Sequence, residues 1–185
     1  MKALFRTYPL SLLTVAASFL FWAACVMAAD PRGSSPTAGQ KAPAFQTKTV
    51  DGKPVNFPAD YKGKVVLLDF WATWCPPCRA EIPHVVAAYQ KFHAQGFEVL
   101  GVSLDQPRQG PALLDFIRNH NMSWSHIYDG KYWNAEVAVQ YGIDSIPHAF
   151  LVDGDSGKIL AEGDSIRGSD LAPTIQKALA ARAKK

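Results

Sequence analysis

The chain has 185 residues and a formal net charge of +3 at pH 7, and 48% of its residues are hydrophobic. This length suits one domain with additional segments, and the apolar content is sufficient for a buried core. No basic run is longer than the two final lysines, and the aromatic residues are not interleaved with basic ones. The composition therefore gives no indication of nucleic-acid binding.

Residues 1–29 have the pattern of a targeting segment. Lys2 and Arg6 precede a long apolar run, and small residues follow near Val26-Met27-Ala28, as in a signal peptide with its cleavage site. The run is also long enough, at about 20 residues, for an uncleaved membrane anchor. Cys25 after two alanines would fit a lipoprotein signal. We favour a cleaved signal over an anchor, and either over a lipoprotein; all three predict an extracytoplasmic domain.

A folded domain is predicted over residues 41–185, after a linker, residues 30–40. The Pro, Gly and Ser content of that linker predicts flexibility. Apolar periodicity and turn residues then predict alternating strands and helices, which indicate an α/β sandwich. The predicted elements are a hairpin turning at Asp51-Gly52, strand 64–70, a helix from Pro76 to a C-cap at Gly96, strand 97–104, helix 111–120, strand 125–128, helix 134–141, strands 148–152 and 158–162, and helix 170–182 capped by Ser169 or Asp170.

The segment FWATWCPPCRAEIP, residues 70–83, contains the only two cysteines of the domain, Cys75 and Cys78. A structural zinc site needs four ligands, and the five histidines show no paired spacing, so no metal is predicted. A disulfide across two residues closes a very short loop and removes little chain entropy, so a purely structural bridge is also disfavoured. The spacing instead favours a redox-active dithiol, in which the first cysteine lies at a helix N-terminus that stabilises its thiolate.

The residues around the dithiol resemble the thioredoxin superfamily. The stretch from Asp69 to Cys75 resembles thioredoxin's active-site strand and turn, Pro83 matches the kink of its active-site helix, and Ile146-Pro147 matches its cis-proline. More narrowly, the chain resembles exported TlpA/ResA-like thiol-disulfide oxidoreductases. The likeness lies in the leading hairpin, in the block of residues 61–83, and in the inserted strand and helix between residues 99 and 142. The resemblance covers roughly residues 41–180. His148, where a small residue is commoner, and Asp69, often Asn, depart from the pattern.

The resemblance implies a thioredoxin-like fold: a central mixed sheet flanked by helices, with an N-terminal β-hairpin and an inserted strand and helix. It implies a thiol-disulfide oxidoreductase with no cofactor beyond the redox-active disulfide Cys75–Cys78. The expected partners are a cysteine-containing protein, such as an apocytochrome c, and a membrane electron donor of the DsbD or CcdA type. No histidine lies between the cysteines to stabilise the thiolate, which favours a reductase over an oxidase.

Four residues are predicted to carry the chemistry. Cys75 is expected to be the exposed attacking thiol and Cys78 the resolving thiol. We favour Asp69 as a buried acid with a raised pKa that takes the proton of Cys78, directly or through water, over a solvated carboxylate at a strand end. Glu81 lies three residues after Cys78 and so on the same helix face; it either tunes the thiols or forms a surface ion pair.

Four further residues are predicted to bind the substrate: Trp74, Pro76, Ile146 and Pro147. Trp74 is expected to be an exposed docking platform, whereas Trp71 is expected in the core. Main-chain groups beside Pro147 are expected to hold the substrate strand. His148 is interpreted by default as a surface imidazole.

Two alternatives remain open on the same fold. Two thiolates and His148 could bind copper in a delivery protein, although such carriers usually space their cysteines by three residues. A peroxiredoxin expects Thr three residues before the reactive cysteine, but Ala72 holds that position and Thr73 is one residue off.

Overall fold

The computed structural model describes residues 33–184, so the predicted targeting segment lies outside the described residues. The strands are β1 Phe45–Lys48, β2 Pro54–Phe57, β3 Val65–Trp71, β4 Phe97–Ser103, β5 Ser125–Ile127, β6 His148–Asp153 and β7 Ile159–Glu162. The helices are α1 Pro76–Phe92, α2 Gly110–Asn119, α3 Glu136–Gln140 and α4 Leu171–Arg182. Within residues 33–184, no helix has both the length and the apolar character needed to cross a membrane.

Five strands form a central mixed sheet in the order β5-β4-β3-β6-β7. Strands β3, β4 and β5 run parallel, whereas β6 is antiparallel to both β3 and β7. The hairpin β1-β2 forms a separate two-stranded sheet. The predicted thioredoxin-like fold is therefore confirmed, and α2 with β5 forms the predicted insert between β4 and α3.

Strand β3 is the centre of the sheet, and its two faces differ. Successive side chains of a strand point to opposite faces. Phe70 packs on one face against Tyr141 and Phe150. Trp71, buried as predicted, packs on the other face against Phe116 of α2. Asp69 shares the face of Trp71 and is the one residue of β3 that is not fully buried, so a carboxyl group lies within an otherwise apolar layer.

The predicted hairpin is present, but its strands are shorter than the predicted residues 45–50 and 53–57. Residues 45–48 pair with 54–57. The Thr49 amide still donates across the hairpin to the Lys53 carbonyl at 2.8 Å, but Thr49 also bridges to Ile127 of β5, and the Val50 amide donates to the His126 carbonyl at 2.7 Å. The end of the first predicted strand thus joins the hairpin to the central sheet.

The described part of the predicted linker, residues 33–40, is bonded to the domain at its C-terminal end. Gly39 N–H donates to the Ile159 carbonyl at 2.8 Å, and Ile159 N–H donates to the Gln40 carbonyl at 2.9 Å. These bonds cover the outer edge of β7, which would otherwise be unpaired. Gly39 and Gln40 are thus bonded to the sheet edge, and the flexibility predicted for residues 30–40 stays a prediction.

Helix ends agree with the sequence in one case and differ in another. α1 passes through a 3₁₀ turn, His93–Gln95, and stops at Gly96, whose φ of 98° is the left-handed conformation predicted for a C-cap. Ahead of α4, Asp170 ends a 3₁₀ turn with φ −85° and ψ −15°, and its side chain makes no capping bond within the described chain. The predicted side-chain cap was wrong, because capping requires an extended backbone at that residue.

Candidate active site

The two cysteines lie at the N-terminus of α1. Cys75 is the N-cap, in an extended conformation, and its Sγ is joined to that of Cys78 in a disulfide. The Cys78 amide lies 3.2 Å from the Sγ of Cys75. Pro76 and Pro77 have no N–H to offer, and the next amide, of Arg79, donates to the Cys75 carbonyl at 3.1 Å. A thiolate at Cys75 would therefore be stabilised by a single helix amide.

The predicted cis-proline loop meets the first cysteine. The Ile146–Pro147 peptide bond is cis, and the Ile146 carbonyl oxygen lies 3.8 Å from the Sγ of Cys75. Pro76 is exposed beside Cys75. The fold therefore brings the predicted substrate-binding residues of two distant segments to the same sulfur atom.

Solvent exposure does not distinguish the two cysteines in this disulfide-bonded form. Cys75 is 3% exposed and Cys78 is 2% exposed. The expectation that Cys75 is exposed was therefore wrong here, because the Ile146 loop packs over its sulfur atom. What separates the two cysteines is the group that each contacts: Cys75 borders that loop, whereas Cys78 lines an internal cavity.

This cavity has a volume of about 20 Å³ and lies on the inner side of the dithiol. Its polar lining comes from Asp69, Glu81 and Arg167, and Cys78 borders it. The remaining lining residues are Leu67, Trp71, Val85, Pro147, Ala149 and Ile166. A volume of this size accommodates roughly one water molecule, for which several polar partners are present.

Asp69 has the raised pKa that the sequence predicted for a buried acid. Burial raises the pKa of its carboxyl to about 7, the negative charge of Glu81 acts in the same direction, and the positive charge of Arg167 opposes both. A group with this pKa exchanges protons near neutral pH. Its proton-transfer role remains a prediction.

Glu81 is held on the cavity side of α1, as its spacing from Cys78 predicted. Its Oε2 accepts a hydrogen bond from the Gly168 amide at 2.8 Å. This bond fixes one carboxylate oxygen and places the charge near Asp69, and the tuning role of Glu81 stays a prediction. Arg167 and Gly168 come from a segment in which the sequence analysis identified no functional residue.

Trp74 is 38% exposed, as predicted for a docking residue, but it does not stand alone. Its indole N–H donates to the Leu104 carbonyl at 3.1 Å. The ring lies 5.2 Å from that of Tyr132 and 5.9 Å from that of Trp133. We name Trp74, Tyr132 and Trp133 the aromatic patch. The sequence analysis missed the last two, although adjacent aromatics just before a predicted helix were a visible signal.

Asp105 is a second residue that the sequence analysis missed. It is fully buried just after β4, and it accepts hydrogen bonds from the Thr73 hydroxyl at 2.5 Å and the Ser103 hydroxyl at 2.7 Å. The Thr73 amide also donates to it. Asp105 therefore fixes the loop that leads into Cys75. Its position at the carboxyl end of a parallel strand, next to that of β3, was the available signal.

Two observations bear on the alternative functions. The Thr73 hydroxyl donates a hydrogen bond to Asp105, so this hydroxyl helps to hold the loop before Cys75. His148 begins β6 half-buried, burial lowers the pKa of its imidazole, and its Nε2 has no hydrogen-bond partner in the described part of the chain. The surface imidazole that was the default expectation is thus partly enclosed. Across residues 33–184, no three His, Cys, Asp or Glu side chains are grouped as a metal site.

A dithiol at a helix N-terminus, facing a cis-proline over a mixed sheet, defines a thiol-disulfide oxidoreductase of the thioredoxin-like type. Comparison with known proteins agrees with this class. Residues 38–161 match the model of the AhpC/TSA family, and the chain belongs to that family, among the ResA-like thiol-disulfide oxidoreductases.

Two curated relatives illustrate the similarity. The thiol-disulfide oxidoreductase ResA of Bacillus thuringiensis subsp. konkukian is 33% identical over 124 residues, which cover 67% of this chain and 68% of the relative. ResA of Bacillus subtilis is 30% identical over 122 residues, which cover 66% of this chain and 64% of the relative.

Solved structures show the same likeness. The thioredoxin domain of a thiol-disulfide oxidoreductase from Bacteroides vulgatus has a TM-score of 0.68 at 34% identity, covering 78% of this chain and 99% of that domain. A thiol:disulfide interchange protein DsbE from Chlorobium tepidum has a TM-score of 0.65 at 31% identity, with coverage of 78% and 99%.

Proposed function

We propose that this protein reduces disulfide bonds of other proteins outside the cytoplasm. The observation that carries this direction is the Pro76-Pro77 pair, which leaves Cys78 as the one helix amide donating to Cys75. An oxidant requires a strongly stabilised thiolate in its reduced form. With one amide and no histidine between the cysteines, the reduced form gains little stabilisation, so it gives up its electrons readily.

The first step is attack by Cys75. Its thiolate sulfur attacks one sulfur of a substrate disulfide, a Cys75–substrate bond forms, and the other substrate sulfur leaves as a thiolate that takes up a proton. The helix N-terminus favours the attacking thiolate. The Ile146 carbonyl beside Cys75 marks the side on which the substrate chain would lie.

The second step is resolution by Cys78. Its thiol loses a proton to Asp69, directly or through one water in the cavity, and its sulfur attacks Cys75. The Cys75–substrate bond breaks, and the second substrate sulfur leaves as a thiolate. The substrate gains two electrons and the Cys75–Cys78 disulfide forms. Glu81 supports this step because its charge raises the pKa of Asp69 towards neutral pH.

The surface around Cys75 fits a polypeptide substrate. The cis-proline loop beside Cys75 offers main-chain groups to an extended chain, and the aromatic patch, which includes the preceding residue Trp74, offers three rings. Aromatic rings with one polar atom are favourable contact surfaces at protein interfaces. Such a surface would select an apolar neighbour of the substrate cysteine rather than one fixed sequence.

The location and partners in this proposal come from the sequence pattern of residues 1–29 and from the resemblance to TlpA/ResA-like proteins. A reductase outside the cytoplasm is oxidised at each turnover and needs a supply of electrons. We therefore include a membrane electron donor of the DsbD or CcdA type, and a cysteine-containing protein such as an apocytochrome c as substrate. No cofactor is needed beyond the Cys75–Cys78 pair.

The reduction potential tests the proposed direction. The protein is equilibrated in a series of glutathione redox buffers, and its oxidised fraction is measured by thiol alkylation and mass spectrometry. We expect a value near the potential of about −270 mV that characterises thioredoxin. A value near the strong oxidant's potential of about −120 mV would contradict the proposal. Copper titration of wild type and His148→Ala tests the metal alternative.

A further inference from the structure

Arg167 contacts the cis-proline loop and the acid-lined cavity at once. It lies between two 3₁₀ turns, Gly163–Ile166 and Gly168–Asp170, far in sequence from the dithiol. Its Nη2 donates a hydrogen bond to the Pro147 carbonyl. The same side chain lines the cavity that Asp69 and Cys78 also line.

The residue after Arg167 adds a second attachment. The Gly168 amide donates to Glu81 Oε2 at 2.8 Å, which ties this segment to α1. Ile166, the residue before, is buried and contributes to the cavity wall. Residues 166–168 thus connect the start of β6 to α1, the helix that begins at the dithiol.

The charges around Asp69 come from two elements. Glu81 faces it from α1 and raises the pKa of its carboxyl, and Arg167 faces it from the segment of 3₁₀ turns and lowers that pKa. Cys78 of α1 adds a titratable thiol once the disulfide is reduced, and the β6 residue paired with Asp69 is Ala149, which carries no charge. Among the described groups, Arg167 is therefore the one cation that lowers the pKa of Asp69 and so counteracts the effect of burial.

His148 is the other titratable group that senses Arg167. Burial lowers the pKa of its imidazole, the charge of Arg167 lowers it further, and Glu162 and Asp144 act in the opposite direction. A neutral imidazole leaves the guanidinium as the cation beside the cis-proline. The positive charge at this end of β6 is thus held by Arg167.

A surface ion pair does not account for this arrangement. The Nη1 of Arg167 lies 3.6 Å from Asp164, whose side chain is fully exposed, while the Arg167 side chain is only 30% exposed. Exposed ion pairs contribute little to stability. By contrast, a guanidinium bonded to a main-chain carbonyl forms one of the stronger hydrogen bonds.

We propose that Arg167 is a positioning residue for disulfide exchange, which holds the substrate-binding loop at Pro147 and presents its positive charge to the cavity that Asp69 and Cys78 line. The proposal rests on the exchange reaction proposed above. It predicts two separable effects, since the hydrogen bond to Pro147 depends on the length and shape of the arginine side chain, whereas the effect on Asp69 needs only a positive charge.

Three variants separate these effects. Arg167→Gln removes both the charge and the guanidinium, Arg167→Lys keeps the charge, and Arg118→Gln is the control, because Arg118 is exposed on α2 and pairs with Asp115. Stopped-flow tryptophan fluorescence follows attack and resolution on a disulfide peptide from pH 5 to pH 9. Steady-state assays give KM for a polypeptide disulfide.

For Arg167→Gln we expect the pH midpoint of the resolving phase to move upwards and KM to rise about ten-fold. Arg167→Lys should keep the midpoint of wild type and still show the raised KM. Arg118→Gln should change neither quantity. A lower melting temperature of Arg167→Gln with both kinetic quantities unmoved would show a merely structural role and overturn the proposal.

Trapping through Cys75 in a Cys78→Ser background keeps this test distinct from that of the proposed function. Suppose that the mixed disulfide forms through Cys75 and that the wild-type resolving rate titrates near pH 7, but that Arg167→Gln behaves as Arg118→Gln. The exchange mechanism would then stand, and the proposed role of Arg167 would be contradicted. If no adduct forms through Cys75, the proposed function itself fails.

Discussion

The carbonyl oxygen of Ile146 lies 3.8 Å from the Sγ of Cys75, although 71 positions separate the two residues in the chain. The antiparallel pairing of β3 with β6 brings them together, because it places His148 opposite Phe70 and so the loop before β6 opposite the turn after β3. A substrate sulfur that reaches Cys75 must pass beside this loop. Changes near the loop should therefore affect polypeptide substrates more than small disulfides.

Asp69→Asn should slow resolution and spare the first attack. The substitution keeps the size of the side chain and removes the group that accepts the proton of Cys78. Because the pKa of Asp69 is about 7, the wild-type resolving rate should rise with pH through neutrality, and the variant should lose that limb. We expect a decrease of about 10²-fold at pH 8, within the usual range for acid–base catalysis. Stopped-flow fluorescence measures both phases.

Asp115→Asn is the matched control for this experiment, since it removes an exposed carboxylate of α2 that pairs with Arg118. Its two phases should match those of wild type. Unchanged resolution in Asp69→Asn from pH 6 to pH 9 would show that Asp69 is not the base.

The same acid should destabilise the folded protein at high pH. Its carboxyl has a pKa of about 7 when folded, well above the usual value of 3.8 for an exposed aspartate. The folded state therefore binds the proton more tightly, and the free energy of unfolding falls as pH rises from about 4 to about 7. At pH 8 we expect the free energy of unfolding of oxidised Asp69→Asn to exceed that of wild type by roughly 2 kcal/mol. This is less than the full pKa shift would give, because water reaches part of the side chain.

Denaturant unfolding of the oxidised proteins at pH 4.5 and pH 8 measures this difference. It should be small at pH 4.5, where wild-type Asp69 is protonated in the folded state. A stability difference that is equal at the two pH values would contradict the raised pKa.

Trp133→Ala should weaken the binding of polypeptide substrates. The ring of Trp133 lies 5.9 Å from that of Trp74, the residue before Cys75. The minority of interface residues whose truncation costs more than about 1 kcal/mol is enriched in tryptophan, so we expect KM for the reduction of insulin to rise about five-fold or more. Leu160→Ala, which removes an exposed apolar side chain from β7, is the control. If Trp133→Ala raised KM equally for a small disulfide without aromatic groups, that result would argue against a role of Trp133 in docking polypeptide substrates.

Pro77→His should make the protein more oxidising. A protonated imidazole between the cysteines would stabilise the Cys75 thiolate and thereby the reduced form. Pro77→Ala restores one helix amide without adding a charge, so its potential should lie between those of wild type and Pro77→His. Glutathione equilibration measures all three. An unchanged potential in Pro77→His would show that thiolate stabilisation does not set the redox direction here.

The sequence was most informative where local pattern and local contact coincide. The dithiol, the helix that it begins and the glycine that ends this helix are encoded within 22 residues, from 75 to 96. Asp69 was recognised because it stands near the end of an apolar strand just before the dithiol turn, and Glu81 because of its helix spacing from Cys78. The hairpin was recognised from its turn, but the ends of its strands depended on pairing with β5, which lies about 75 residues further along.

The missed residues share a physical reason. Arg167, Tyr132, Trp133 and Asp105 reach the site through tertiary packing, and their own sequence neighbourhoods carry no redox pattern. Asp170 shows the same limit for local structure: it had the residue type of a cap, but the preceding 3₁₀ turn set its backbone in a helical conformation. Contacts between distant segments decided the first four cases, and an unpredicted local turn decided that of Asp170.

The most direct test of the account is a trapping experiment with the two single cysteine variants. Each is mixed with a disulfide peptide, and the adduct is located by mass spectrometry after digestion under non-reducing, acidic conditions. Cys78→Ser should accumulate a mixed disulfide through Cys75, because the resolving thiol is absent, and Cys75→Ser should accumulate none and fail to reduce insulin. A stable adduct on Cys78 in Cys75→Ser, with insulin reduction retained, would contradict the account.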